Sequence, residues 1–348
     1  MESNHERHNS QAQQNEGAST WITHPWVAEG QGTIRFGALI MDQGTNWQEL
    51  RDWVQMVEGF GFDSYWASDH PFLSQDAWIT LTIAAQATKS IRLGTLVSCI
   101  FYRRPALLAR LAADVDRLSN GRVILGVGIG DLPQEFEQLG IPFQNTKARQ
   151  QALEEAIQTI VGLWQSEDFT FEGTPLQAQQ VKLPGKPVQQ PHIPLLIAGG
   201  GERVTLRQVA QYADVANFGA HSIIGGAYHT DDVVRKYDVL RSHCEAEARP
   251  YDSVLRSHLT FPLVLAETHE ALRAKLDRLP QGWLKMFGSS LIAGVPQEVI
   301  TSYQALASAG VQYFICSFFH QDVETLQLFA EQVMPTVKEE KATQRLPG

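Results

Sequence analysis

An acid and an imidazole stand side by side at Asp69-His70, and Pro71 follows them directly. They close a short apolar run, Phe62–Ala67, of the kind that makes a buried strand, and the proline forbids simple continuation. A histidine there can exchange a proton with a substrate near neutral pH; the alternative is a structural Asp-His turn that caps the next segment. A second set of chemically usable positions is Gly126, Gly128 and Gly130, on alternate residues, with Asp131 after them. Glycines spaced this way let a ligand approach the backbone closely. They are not the dinucleotide fingerprint, because Asp131 holds the third glycine's place, and taken alone Asp131 reads as a solvated loop acid. A third set is Gly199-Gly200-Gly201, which precedes the helical pattern Glu202–Tyr212. Bare amides at the positive end of a helix form an anion cup, suited to a phosphate. Arg203 would add charge there; a tight strand-to-helix turn is the simpler alternative.

Other chemistries find little support. None of the 11 histidines stands two residues from another, so the paired strand ligands of metal-dependent barrel hydrolases are missing. No Gly-x-Ser-x-Gly elbow supports an acyl-transfer serine. Arg103-Arg104 reads as a grip for an acidic cofactor tail or as a solvated basic pair. His221 and His320 follow predicted strands and are candidates for a substrate pocket. The three cysteines, Cys99, Cys244 and Cys316, are far apart. They form neither a disulfide framework nor a metal knuckle, and they suit a reducing cytoplasm.

Composition bounds the rest. With 43% hydrophobic and 19% charged residues the chain has ample material for a large core. Its net charge of −10 argues against a nucleic-acid surface, although a local field can still hold an anionic cofactor. No apolar run is long enough to span a bilayer. Residues 1–32 are rich in Asn, Gln, His, Glu and Ser and lack a signal-peptide core, so they read as a disordered polar arm, with Trp21, Trp26 and Val27 able to dock. The body is expected over 33–336, with a short tail at 337–348.

From Ile34 onward strands and helices alternate. Strands are expected at Ile34–Ile40, Phe62–Ala67, Ile91–Ser98, Val123–Val127, Leu195–Ala198, Asp214–Phe218, Leu259–Ala266 and Val311–Cys316. Helices are expected at Asn46–Gly59, Ala77–Thr88, Pro105–Leu118, Thr146–Trp164, Glu202–Tyr212, Pro296–Ala309 and Val323–Val333. Asn120-Gly121 ends the third helix with a left-handed cap. Glu167–Pro194 reads as an irregular insertion. Strands apolar on both faces specify parallel pairing. The expected fold is a single α/β domain, a (β/α)8 TIM barrel with insertions after strands 4 and 7; a doubly wound sheet is the runner-up. A barrel keeps its chemistry at the strand ends where Asp69-His70 falls.

Several of these segments, taken in order, resemble the luciferase-like flavin and deazaflavin oxidoreductases. They are Gly61-Phe62-Asp63-Ser64-Tyr65-Trp66 through Ser68-Asp69-His70, Ile91-Arg92-Leu93-Gly94-Thr95, Arg104-Pro105-Ala106-Leu107-Leu108-Ala109, Leu118-Ser119-Asn120-Gly121-Arg122, Leu125-Gly126-Val127-Gly128 and Pro194-Leu195-Leu196-Ile197-Ala198-Gly199-Gly200. The likeness runs from about Ile34 to Glu331. It implies an isoalloxazine-type ring at the C-terminal mouth, and the Asp-His pair looks like the branch that uses coenzyme F420, with FMN as the alternative. By resemblance His70 would be the acid or base beside the reactive ring carbon, and Asp69 would orient the coenzyme. Leu96-Val97 would be a non-proline cis bond behind the ring, with Cys99 nearby. Ile129 and Gly130 would approach the ring or its tail, and Gly199, Gly200 and Gly201 the phosphate. Asp131 stands where the sugar-phosphate dehydrogenases carry a glutamate acid, but their basic residues for a sugar phosphate find no match. The resemblance implies hydride exchange between coenzyme F420 and a small organic substrate in a homodimer, without metal. An FMN-dependent monooxygenase and a catalytically silent flavin carrier are the rival readings.

Overall fold

The computed structural model describes residues 21–41, 46–174 and 176–343. Eight parallel strands close into a barrel: β1 Arg35–Met41, β2 Ser64–Ala67, β3 Arg92–Thr95, β4 Val123–Gly128, β5 Leu195–Ala198, β6 Val215–Gly219, β7 Leu255–Thr260 and β8 Tyr313–Phe319. A two-residue continuation of β3, Ser98–Cys99, lies past the Leu96–Val97 bond and pairs with the end of β4. Each strand pairs with its sequence neighbour, and β8 returns to β1 in the register Arg35 to Tyr313 through Met41 to Phe319.

The helices form where the sequence places a cap before an apolar stripe. α1 (Trp47–Gly59) starts on Asn46, whose side chain accepts from the amides of Gln48 and Glu49, and it buries Leu50, Trp53, Val54 and Val57. α2 (Ala77–Ala87) is capped in the same way by Asp76, and α3 (Pro105–Leu118) carries Pro105 at its first position. α4 (Thr146–Gln165), α5 (Thr205–Tyr212), α6 (Thr230–Ala246), α7 (Pro296–Ser308) and α8 (Val323–Leu328) complete the ring, and a π turn at Phe329–Val333 carries α8 on into helix Met334–Thr343. Two apolar layers result. Leu39, Trp66, Ile124, Leu196, Leu255, Leu259, Tyr313 and Ile315 fill the barrel, while a larger layer packs the strands against the helices.

Several expectations change. The barrel's seventh strand is Leu255–Thr260, not Leu259–Ala266; Leu263–Leu265 pairs instead with Ile292–Gly294 in a small parallel sheet outside the barrel. Pro262 supplies no ladder donor and marks the break. The insertion after β4 holds a hairpin, Phe169–Glu172 with Gln177–Val181, and the one after β7 holds helices His269–Leu276 and Gln281–Phe287. The helix expected from Glu202 begins at Thr205. α6 and a short helix, Pro133–Gln138, stand where the sequence reading assigned nothing.

The expected polar arm falls outside the described residues over 1–20, but the rest of it is built into the fold. Pro25–Glu29 is helical and buries Trp26 and Val27 at the strand starts. The Trp26 ring takes the guanidinium of Arg35 at 4.7 Å and that of Arg92 at 4.9 Å, and meets Tyr313 edge-on. At the other end, residues 344–348 of the expected tail lie outside the described residues, while Val337 is buried and Lys338 reaches Asp63.

His258 on β7 is fully buried, and neither ring nitrogen has a hydrogen-bond partner among the described residues. Burial lowers its pKa from 6.5 to about 4. The unfolded chain therefore takes up a proton that the folded chain refuses, and stability should fall as pH drops from about 6.5 to about 4. The loss is at most about 3 kcal/mol. Urea unfolding across that window should show a shallower pH slope in His258→Leu than in the wild type.

Candidate functional site

The C-terminal ends of β2, β3 and β4 are neighbours, and they bring the sequence's acid, imidazole and glycines to one side of the mouth. Asp69, the residue before His70, is 5% exposed. Arg103 Nη1 donates to both its oxygens, at 2.9 and 2.7 Å, and Arg103 Nη2 donates to Asp76 at 2.7 Å. Burial pushes the Asp69 carboxyl up, against the opposing charge of Arg103. Arg103 is thus spent inside the protein, which removes it as a grip for an acidic tail; Arg104 is exposed.

His70 keeps 31% of its side chain exposed. Its Nδ1 lies 3.1 Å from Oε2 and 3.3 Å from Oε1 of Glu135, and Tyr102 donates its hydroxyl to the same Oε2 at 2.7 Å. Ser74 Oγ, which accepts from the His70 amide at 3.4 Å, itself donates to the carbonyls of Ser68 and His70. Burial and the bond to Glu135 push the Tyr102 hydroxyl far up, so it stays a donor.

Leu96–Val97 is cis. A Cβ at Gly126 would stand 2.0 Å from the Thr95 carbonyl oxygen and 3.1 Å from a Val97 methyl, and one at Gly128 would stand 2.8 Å from the other Val97 methyl. The alternate glycines of β4 therefore serve the close approach of Val97 at the end of β3. Gly130 has φ +74°, and the buried Cys99 sulfur lies 3.0 Å from where its Cβ would be. Burial pushes the Cys99 thiol up to about 12, so it is a packing group and not a thiolate. The carbonyls of Ile129 and Gly130 accept from Arg149 Nη1, at 3.2 and 2.5 Å, which fixes the glycine loop.

Across the mouth, Gly199 donates its amide to the Asn217 carbonyl, so that amide cannot serve an anion. The amides of Gly200 and Gly201 make no hydrogen bond among the described residues, and Lys236 Nζ donates to the Gly200 carbonyl at 2.7 Å. The dipole end of α5 lies four residues further along, which corrects the expected anion cup: this loop offers two amides, and the buried Lys236 from α6 is already paired with Glu202 at 3.6 Å. Thr205 packs its hydroxyl 2.8 Å from where a Gly201 Cβ would be.

Asp131 is exposed, and the side-chain contacts of His70 among the described residues are with Glu135, not with Asp131. The carboxylate that does meet His70 is Glu135, four residues on. His221 is held by Ile223 and by the Met286 carbonyl, and His320 lies beside Trp53 and 4.0 Å from Glu49. Phe261, Trp283, Phe287 and Phe319, all half-buried, form a run of ring contacts at 5.0 to 6.4 Å. They come from the ends of β7 and β8 and from the insertion between them, giving that part of the mouth an apolar wall. Among the described residues no cluster of three or more His, Cys, Asp or Glu side chains could hold a metal, and no helix is long and apolar enough to cross a membrane.

Glu135 and Tyr102 were missed from sequence. The one trace was Pro133, a helix-starting residue, with the carboxylate two positions later beside the apolar Phe136.

The site is thus a closed parallel barrel with an Asp-His pair just past the end of β2 and a cis bond at the end of β3. The chain belongs to the luciferase-like monooxygenase family, whose profile matches residues 33–313, and it is an oxidoreductase. It is 28% identical over 329 residues to an F420-dependent glucose-6-phosphate dehydrogenase of Amycolatopsis mediterranei, covering 84% of this chain and 95% of that one. It is 26% identical over 265 residues to an FMNH2-dependent dimethylsulfone monooxygenase of Pseudomonas fluorescens, covering 69% and 71%. The F420-dependent tetrahydromethanopterin reductase of Methanopyrus kandleri has the same fold, with a TM-score of 0.71 at 20% identity over 88% of this chain and all of that one.

Proposed function

We propose that this chain transfers hydride between coenzyme F420 and a small organic substrate, with His70 giving or taking the accompanying proton. The observation that carries the reading is the state of His70. It stands at the end of β2 with Nδ1 anchored and part of its ring open, as a proton-transfer group at a barrel mouth must be. The amides of Gly200 and Gly201, which make no hydrogen bond among the described residues, would be the donors to an anionic part of the coenzyme. When bound, the coenzyme supplies a two-electron hydride donor or acceptor at one ring carbon. On this reading Val97, at the cis bond, would support that ring and His70 would act beside it. The aromatic wall of Phe261, Trp283, Phe287 and Phe319 favours an apolar substrate over a sugar phosphate.

The relative that uses reduced FMN keeps a flavin monooxygenase in play as the second reading. Titration of the purified protein with each coenzyme separates the two. Tight F420 binding, followed by turnover with alcohols, enones or carbonyls that is lost in His70→Asn, is the expected result. FMN binding without F420 binding would reverse the assignment, and coenzyme binding without turnover would leave a silent carrier.

A further inference from the structure

We infer that Glu135, supported by Tyr102, is a positioning residue that holds His70 as its Nδ1–H tautomer, so that Nε2 is the atom that exchanges the proton. The inference rests on the hydride-transfer reading for its chemistry and on geometry for its substance. Glu135 has 4% of its side chain exposed, on the short helix Pro133–Gln138, and its Oε2 faces two groups only 2.7 and 3.1 Å away. One of them, the Tyr102 hydroxyl, can be counted on to donate, because it is pushed far above its ordinary pKa. A carboxylate that already accepts there has only acceptor capacity left to offer His70. The imidazole must therefore bring the hydrogen at Nδ1, which leaves the lone pair of neutral His70 on Nε2. The same arrangement stabilises the imidazolium once Nε2 has gained its proton.

The other charges around the ring are accounted for. Asp69 is matched by Arg103, which also serves Asp76. Asp131 is exposed, and Ser74 touches only the His70 backbone. Glu135 is the anion left facing the ring. In the oxidising direction Nε2 would take the substrate's hydroxyl proton as the carbon-bound hydrogen leaves with its electron pair for the bound coenzyme; in the reducing direction both would return. Either way one proton and one hydride move, and neither passes through Glu135. The plainer reading is that His70 merely satisfies a buried acid.

Long-range proton–nitrogen correlation spectra of the 15N-histidine-labelled full chain, with His70 assigned by its loss in His70→Asn, decide between the two. The wild type should show a neutral Nδ1–H tautomer. In Glu135→Gln, which keeps the shape but can donate as well as accept, the two tautomers should mix. Tyr102→Phe should retain the wild-type tautomer. An Nε2–H tautomer in the wild type would overturn the inference even if the glutamine variant failed to fold. An unchanged His70 tautomer in a folded Glu135→Gln would overturn it too. With coenzyme present, Glu135→Gln should lower kcat at least about tenfold with little change in coenzyme affinity. Because the spectra need no coenzyme, a protein that binds no F420 but shows the Nδ1–H tautomer would overturn the proposed reaction and leave the tautomer assignment standing.

Discussion

Gly126→Ala is expected to destabilise the protein by about 3 kcal/mol or more, a large effect for one methyl group. The added Cβ would lie 2.0 Å from the Thr95 carbonyl oxygen, a backbone atom that cannot rotate away as a side chain could. The Thr95 hydroxyl adds to the restraint, since it donates to the Gly126 carbonyl at 2.8 Å and accepts from the Gly126 amide at 3.1 Å. The two strands are thus clamped at the point where the methyl must fit, with a Val97 methyl 3.1 Å away on the other side. Relief can come only by moving the end of β3, which carries Val97 and leads to Cys99. The melting temperature should therefore fall by roughly 5 °C or more, and coenzyme affinity should fall with it if the ring lies against Val97. Gly59→Ala is the matched control. Nothing lies within 4 Å of its Cβ, it closes α1, and its φ is not positive, so alanine there should be neutral or stabilising. Equal losses in the two variants would show that the close approach at β4 carries no special weight.

What the sequence shows and hides follows from the range of the interactions. α3 could be read to the residue because its signals are local: Pro105 at the start, an apolar stripe, and Asn120-Gly121 with positive φ at the end. The Asp69-His70 pair and the β4 glycines were visible for the same reason. β7 was hidden because four of its six buried residues, Arg256, Ser257, His258 and Thr260, are not apolar. Arg256 is held by the Gly310 carbonyl and Asp252, Ser257 bonds to the Ala216 carbonyl, and His258 has no partner, so no strand period shows. α6 did carry a readable stripe in Val233, Tyr237, Leu240 and Cys244, yet its Lys236 bonds to the Gly200 carbonyl, a contact 36 residues away in sequence. Glu135 shows the limit most clearly. Its partner His70 is 65 residues away, and no spacing rule links a carboxylate on a six-residue helix to a histidine two strands earlier. Asp131 stood in the more conspicuous place, directly after the glycines, but it precedes the short helix whose Glu135 faces the imidazole.

The second large effect is expected at Arg103→Met, which should cost about 3–5 kcal/mol at neutral pH because it strands a buried carboxylate. Asp69 is 5% exposed, both its oxygens accept from the same Arg103 nitrogen, and among the described residues Arg103 is the cation paired with it. Methionine fills most of the volume of the arginine stem, which keeps the packing cost small beside the electrostatic one. The pH dependence tests that division. Burial already raises the Asp69 pKa while Arg103 opposes it, so removing Arg103 must raise it further. The folded variant then holds a proton that the unfolded chain has released, and its stability drops as pH rises through that window. The gap between variant and wild type should be widest near pH 7 and should close as the pH falls toward the ordinary carboxylate range, where Asp69 is neutral in both states. Asp69→Asn combined with Arg103→Met should recover most of the loss at neutral pH, because no buried charge remains to be matched. Chemical denaturation of the single and double variants at several pH values is the measurement. A loss from Arg103→Met that does not change with pH would mean that arginine acts there as packing, and that Asp69 reaches its neighbour His70 through shape and not through charge.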